Sequence, residues 1–169
     1  NKEEKYANHV RLLIEKIFKT KVKISLRKGG YRDVYMGSVD TTSWLLKQGL
    51  VHNKVESQVD VPLWIFSKDH FIKSFLRGFF DTDGSVYKLR HGVQISFCNR
   101  SLPILKSLQL MLKKLEYNPS SISLYNMYLT RRVDVKKFFK EIKPSNPKHV
   151  SRYLEIKNKM HRSDSGYSR

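Results

Sequence analysis

The stretch LRGFFDTDG, residues 76–84, constrains the fold of this chain more than any other feature. The predicted helix ends in two carboxylates, Asp81 and Asp83, and stops at Gly84. Acidic groups at a helix C-terminus oppose the helix dipole, which is unfavourable unless a cation or another function compensates. Hard oxygen ligands in this position suit Mg²⁺ or Ca²⁺. Apolar side chains recur at helical spacing along the stretch and just before it, at Phe71, Ile72, Phe75, Leu76, Phe79 and Phe80.

The charge balance predicts a polyanionic partner. Lys and Arg number 33 against 15 Asp and Glu, which gives a net charge of +18. Nucleic acid is the leading candidate, because the basic residues are spread along the whole chain and not gathered on one amphipathic helix, as a membrane-binding segment would require. There is no apolar run near 18 residues and no secretory signal, so we expect an intracellular protein without a membrane span. The single cysteine, Cys98, allows no internal disulfide.

One order of elements occurs twice along the chain. A helix, a two-stranded hairpin and a short helix are predicted over residues 4–48, and the same order returns over residues 101–142. The two copies are offset by about 94 residues. Two related half-domains are the simplest explanation, and a generic duplicated α/β domain is the alternative.

The second copy carries an additional segment, residues 69–98, with the acidic helix and a first hairpin. Shifted back by the same offset, this segment would fall before residue 1. We therefore expect the chain to begin inside its first repeat. The predicted organisation is an incomplete N-terminal half over residues 1–60, a complete C-terminal repeat over 61–157 and a polar tail over 158–169.

The acidic helix resembles the signature of the LAGLIDADG homing endonucleases. Phe79 and Phe80 replace aliphatic residues of that pattern, and Arg77 and Thr82 stand where it prefers small residues. A capped core helix followed by an acidic turn is the alternative for these nine residues taken alone. The resemblance extends to about Ile156. The matching positions are Leu76, Gly78, Asp81, Asp83 and Gly84.

The resemblance implies an α+β fold of αββαββα half-domains, the first of them incomplete, with curved four-stranded antiparallel sheets that lie in the DNA major groove. It also implies that two motif helices pair side by side at a pseudo-two-fold axis. In this chain the partner helix would come from a missing N-terminal segment or from a second copy. Otherwise Phe75, Phe79 and Phe80 would be left exposed. The predicted helix-interface residues are Leu76, Gly78, Phe79 and Asp81.

The resemblance further implies the catalytic residues. Asp83 aligns with the metal-binding carboxylate that would hold Mg²⁺ or another divalent cation, while Asp81 is structural. Lys54 and Lys148 occupy equivalent places in the two copies, where the family has a basic residue near the scissile phosphates. Ordinary surface lysines are the alternative. Asn99 stands where the family often has a polar residue that positions solvent.

Strand alternation predicts which side chains face the nucleic acid, because successive residues of a strand point to opposite faces of the sheet. Such polar side chains can read base edges, although the outer face of any half-exposed sheet would look similar. In the first half the predicted residues are Lys23, Ser25, Arg27, Asp33 and Tyr35. In the second half they are Tyr87, Gln94, Ser96, Ser121, Ser123, Tyr125, Tyr128 and Thr130.

Two functions follow from these observations. The first is a sequence-specific, Mg²⁺-dependent double-strand DNA endonuclease encoded in an intron or intein, of which this chain is a truncated form. The second is a non-cleaving nucleic-acid-binding protein of the same fold, such as an intron maturase or a regulator, for which intron RNA is a further ligand. Both acids of DTDG favour the enzyme for the parent protein, and the absence of a first motif favours an inactive fragment for this chain.

Overall fold

The computed structural model describes residues 1–51, 57–90 and 92–165, with the backbone alone for the last five of these. The chain divides into two compact units. The first unit contains residues 1–50 together with 145–148, and the second contains the rest.

The first unit is an αββα arrangement. Asn1 begins its first helix by accepting a 3.0 Å hydrogen bond from the backbone N–H of Glu3. A turn containing Gly29 and Gly30, both at positive φ, joins its two antiparallel strands. Ser38 caps the second helix. The elements are α1 (Lys2–Phe18), β1 (Lys23–Leu26), β2 (Arg32–Tyr35) and α2 (Val39–Lys47).

The first unit buries little apolar surface. Among its described residues, Ala7 and Val22 are the only buried hydrophobic side chains. Leu12, Leu13 and Ile17 on α1 remain about half exposed. Since apolar burial is the main stabilising contribution to folding, this unit has a much smaller core than the second.

The second unit packs helices on one face of an antiparallel sheet, with the strand order β3-β4-β5. A short 3₁₀ helix, Leu63–Ser67, precedes the acidic helix. The further elements are α3 (Asp69–Asp83), β3 (Gly84–Leu89), β4 (Gly92–Cys98), α4 (Leu102–Lys114), β5 (Asn126–Leu129), α5 (Arg132–Glu141) and α6 (Pro147–Ser165). The expected α+β fold is confirmed.

An aromatic cluster occupies the core of the second unit. The rings of Phe80 on α3, Phe97 on β4 and Phe138 on α5 are fully buried, with centroids 5.0 to 5.7 Å apart. Burial of each such side chain contributes roughly 1.5–3 kcal/mol. Leu105 and Leu108 of α4 extend the same core. Because α3, α4 and α5 all cover one face of the sheet, the outer side chains point away from this core.

The expected second hairpin is incomplete, so the four-stranded sheet is reduced to three strands. Residues before β5 form an irregular edge and a tight turn in which Ser123 and Asn126 exchange two backbone hydrogen bonds of 2.9 Å. Leu124 and Tyr125 both have positive φ, as in a type I′ turn. Among the described residues, the segment before β5 contacts that strand through the bridge of Ser123 opposite Asn126 and through the backbone N–H of Ser120, which donates to the carbonyl of Tyr128 at 2.9 Å.

Two further expectations differ from the structure. The predicted polar tail continues α6 as far as Ser165, and Glu155 supports the exposed side of that helix by pairing with Arg152 at 3.3 Å and Lys159 at 2.8 Å. The predicted exposure of the motif-helix aromatics is wrong, because Phe79 and Phe80 lie in the core. In the part of the chain that the structure describes, no helix is long and apolar enough to cross a membrane.

Candidate nucleic-acid interface

The outer face of β3, β4 and β5 in the second unit presents polar side chains in register. Tyr87 of β3 lies directly opposite Gln94 of β4, and half of its surface is exposed. Tyr128 of β5 is partly exposed on the same face. Their strand neighbours Val86, Val93 and the other inward residues are buried against the helices, as alternation predicts. The predicted orientation of these three polar residues is confirmed.

Ser96 departs from the prediction. It lies on the outer face between its partners Ser85 and Tyr128, but only 3% of its surface is exposed. A serine in the central strand is shorter than a flanking tyrosine, so the predicted exposure of Ser96 is wrong and we do not expect it to reach a base edge.

The remaining predicted residues of this half lie outside the strands. Ser121, Ser123, Tyr125 and Thr130 are all exposed, in the turn region or directly after β5. Asn126, the first residue of β5, shares the outer face with Tyr128, and its side-chain amide donates to the carbonyl of Leu124 at 2.8 Å. The sequence did not single out Asn126, because Leu-Tyr is not a usual type I′ turn pair and the start of β5 was therefore hidden.

The two strands of the first unit also bring their predicted residues together. Lys23 lies opposite Tyr35 and Ser25 opposite Asp33, which puts all four on one face. The guanidinium of Arg27 forms an ion pair with the carboxylate of Asp33. An open groove of about 600 Å³ is lined by Ser25, Arg27, Arg32, Asp33, Val34 and Tyr35, and Lys23 does not contribute to it.

The end of the motif helix presents a single accessible carboxylate. Asp83, the last residue of α3, is partly exposed, and the hydroxyl of Thr82 lies 3.4 Å from its Oδ2. Asp81 is 4% exposed, as expected for a structural residue. Leu76 and Phe79 belong to the core of their own unit, so their predicted place at a helix interface is wrong. Gly78 is exposed, and a Cβ at that position would meet no atom within 4 Å.

The other predicted catalytic residues are Lys54, Lys148 and Asn99. Lys54 lies outside the described residues. Lys148 is exposed near the start of α6, where its backbone N–H donates to Oδ1 of Asn146 at 3.0 Å. Asn99 accepts a 2.9 Å hydrogen bond from the backbone N–H of Ser101, so its side-chain oxygen stabilises the turn that precedes α4.

The described residues do not form a metal centre by themselves. Within residues 1–51, 57–90 and 92–165, no group of three His, Cys, Asp or Glu side chains is placed to hold an ion. Mg²⁺ bound by one or two carboxylates needs further oxygen ligands from phosphates and water. Among the described residues, the carboxylate of Asp83 by itself does not meet that requirement.

Comparison with known proteins identifies the fold. The family model described as a LAGLIDADG-like domain matches residues 70–143. The N-terminal LAGLIDADG domain of DUF199/WhiA, known from a crystal structure, superposes with a TM-score of 0.55 at 20% identity and covers 80% of this chain and 67% of that one. At this level of identity the structural likeness shows the fold alone.

A curated relative is much longer than the region it shares with this chain. The Replication factor C small subunit of Methanocaldococcus jannaschii is 31% identical over 103 residues. The matched region is 60% of this chain but only 5% of that protein. The similarity therefore concerns a small segment within a long polypeptide.

Proposed function

Because this chain belongs to the LAGLIDADG fold family, we propose that it is a DNA-binding protein that lays the outer face of β3, β4 and β5 against the duplex. The observation that carries the proposal is the row of partly exposed hydrogen-bonding side chains on that face, Tyr87, Gln94 and Tyr128. Cutting the DNA is not part of this function.

The net charge explains the affinity for DNA of any sequence, and the polar side chains of the outer face explain the selectivity between sequences. The net charge of +18 supplies the attraction to phosphates, which is independent of sequence. The outer-face tyrosines and glutamine are uncharged, and groups of this kind discriminate bases through hydrogen bonds to their edges. A two-stranded or larger antiparallel ribbon fits the major groove of B-DNA. We therefore infer sequence-selective binding superimposed on strong non-specific attraction.

Selection from a pool of random-sequence duplexes tests this function. The wild-type chain should enrich a defined motif, and Gln94→Ala should relax the preference at one or two adjacent positions. Loss of a specific base contact costs about 1–3 kcal/mol in discrimination. Gln48→Ala, which removes a partly exposed glutamine at the end of α2, is the matched control and should enrich the wild-type motif.

Failure would be visible in either of two results. If the wild-type chain enriches no motif, the base-reading role of the sheet is wrong. If Gln94→Ala and Gln48→Ala both retain the wild-type motif unchanged, the DNA is read by some other surface.

Endonuclease activity is the second candidate, and the partly exposed carboxylate of Asp83 at the end of the motif helix favours it. Incubation of supercoiled plasmid with the protein and Mg²⁺ should then give nicked or linear DNA. Asp83→Asn should abolish the product without weakening DNA binding, and Lys148→Ala should slow the reaction less. Asp69→Asn, at the opposite and exposed end of α3, is the matched control. If wild type gives no product, the cleaving function does not belong to this chain.

Pairing through the motif helix is the third element of the proposal. LAGLIDADG-like domains bind DNA and pair with another domain, and α3 carries an exposed row of small side chains, Ser74, Gly78 and Thr82, at intervals of one helical turn. Small residues allow close helix approach. A second copy or a separate LAGLIDADG segment would supply the other helix.

The relative that matches over only 5% of its length supports an origin of this chain within a longer polypeptide, such as an intein.

A further inference from the structure

A basic cleft lies between α5 and α6 in the second unit. Its narrow part, about 110 Å³, is lined by Val93, Arg132, Lys136, Tyr153, Lys157 and Met160. A wider groove of about 440 Å³ shares Lys136, Tyr153 and Lys157 and adds Lys140 and Lys143 among its lining residues. The two hollows are therefore adjacent and have the same sign of charge.

The cleft is on the helical side of the sheet. Val93 is buried on the inner face of β4, whereas its neighbour Gln94 points to the outer face. A duplex bound to the outer face of β3, β4 and β5 would therefore not reach Lys136 or Lys157. The DNA-binding role proposed for the sheet leaves this basic cluster without an explanation.

Two cations of the cleft, Lys136 and Lys157, are not neutralised by acids among the described residues. The lining of the cleft contains five basic residues and no acidic one among the described positions. The nearby carboxylates of α5 and α6 have other partners, since Glu141 pairs with Lys73 and Glu155 pairs with Arg152 and Lys159. Lys136 and Lys157 form no ion pair within the part of the chain that the structure describes.

The floor of the cleft is formed by a stacked pair of aromatic rings. Tyr153 is 9% exposed, and its ring stacks on that of Phe139 with a centroid distance of 3.9 Å and an interplanar angle of 4°. Burial raises the pKa of Tyr153, while the positive charge of Arg132, which lines the same hollow, opposes that rise. On α5, Arg132, Lys136 and Lys140 recur every four residues, so they form one row with steps of about 6 Å.

We propose that Arg132, Lys136, Lys140 and Lys157 form a second DNA-binding surface, which holds the phosphate backbone of a separate duplex. A linear row of cations over an aromatic floor is suited to phosphates and carries no pattern of hydrogen-bonding groups for base edges. The second contact would be independent of sequence. A chain with two such surfaces can bridge two DNA segments.

A bridging assay tests the proposal directly. The assay uses a duplex of about 15 bp, which is roughly 50 Å long. One pool of this duplex carries a donor fluorophore and a second pool carries an acceptor. Energy transfer then reports that one protein molecule holds a donor duplex and an acceptor duplex. Wild type should give energy transfer that falls steeply with salt. Lys136→Gln combined with Lys157→Gln should strongly reduce the transfer while the first duplex still binds, and the salt slope of the residual second binding step should weaken by about 2.

The controls separate this proposal from that of the sheet. Lys106→Gln combined with Lys113→Gln removes the same charge from exposed sites on α4 and should leave bridging unchanged. Gln94→Ala should alter the sequence preference of the first binding step, which belongs to the sheet. Protein concentration is kept below the range in which sedimentation detects self-association, so that a dimer does not supply the second site.

Three results would overturn the proposal. The first is a wild-type stoichiometry of one duplex per chain at low salt. The second is unchanged bridging by the Lys136 and Lys157 double variant. The third is binding of single-stranded RNA or anionic vesicles that is lost in the Lys136 and Lys157 double variant, together with a wild-type stoichiometry of one duplex per chain.

Discussion

Gly84 shows how a single residue fixes the end of the motif helix. A Cβ at this position would lie 2.3 Å from Cδ2 of Phe80 and 2.4 Å from its carbonyl oxygen. Because Phe80 is fully buried in the aromatic core, its ring cannot move aside easily. The glycine of the signature is therefore required by packing at the junction of α3 and β3, independently of any catalytic role.

We expect Gly84→Ala to lower the free energy of unfolding by about 1–3 kcal/mol, the usual cost of overpacking a core. Gly92→Ala, at the start of β4, is the matched control, because a Cβ there meets no atom within 4 Å. Denaturant unfolding measures both variants. Equal stabilities of the two variants would show that the junction relaxes without cost.

Tyr117 is a buried residue with an unusual environment. Its hydroxyl is buried and has no hydrogen-bond partner among the described residues. Burial raises the pKa of Tyr117 far above its usual range, and the negative charges of Glu141 and Asp134 raise it further. Since an unpaired buried hydroxyl is costly, the aromatic ring and not the oxygen provides the stabilisation.

Tyr117→Phe should leave the free energy of unfolding unchanged or raise it by up to about 1 kcal/mol at neutral pH. The raised pKa means that the unfolded chain loses the tyrosine proton first, so this residue destabilises the fold as pH rises above about 10. Thermal melts at neutral and alkaline pH should show a gap in favour of Tyr117→Phe that widens above that value. A marked loss of stability in the variant would indicate a partner for the hydroxyl.

At the scale of elements, the helices with strong apolar periodicity were predictable. The spacing of Phe71, Ile72, Phe75 and their successors predicted α3, which the structure gives as Asp69–Asp83. Helix α6 was missed because its buried side is narrow, with Tyr153 and Ile156 as its main core residues, and its exposed side is uniformly polar. Local periodicity is weak in such a helix, and tertiary packing decides its length.

The strands were less predictable than the helices. Alternation gave the correct faces for Tyr87 and Gln94, because these strands have one buried side. It did not predict the burial of Ser96, which depends on the size of cross-strand neighbours. The positive-φ turn at Leu124 and Tyr125 sets the start of β5, and the side chains of these two residues give no signal for it.

The exposed row on α3 leads to a prediction about pairing. Gly78→Ala should stabilise an unpaired helix by about 1 kcal/mol, since alanine has the higher helix propensity and meets no neighbour. In a protein paired through this row, Gly78→Leu should weaken association, because a bulky side chain keeps the helices apart. Sedimentation at several concentrations reports the pairing, with Gly92→Ala as a control. Unchanged association of Gly78→Leu would exclude this face from the contact.

At the scale of the whole molecule, the net charge of +18 governs the association with DNA. Each neutralised phosphate contributes about −0.9 to the slope of log affinity against log salt concentration. Affinity for a non-specific duplex should therefore fall at least about tenfold between about 50 and 200 mM salt. Fluorescence anisotropy of a labelled duplex measures this affinity at each salt concentration. An affinity that does not change over this range would rule out phosphate contacts as the source of binding.

The central claim is that the outer face of β3, β4 and β5 contacts the DNA, and amide chemical-shift mapping of this 20.0 kDa chain tests it most directly. At the first equivalent of a duplex that carries the selected motif, the largest shifts should occur at Tyr87, Gln94, Tyr128 and their strand neighbours. The exposed residues of α4 should shift little. Shifts that occur on α4 and leave the three strands unchanged would contradict the account.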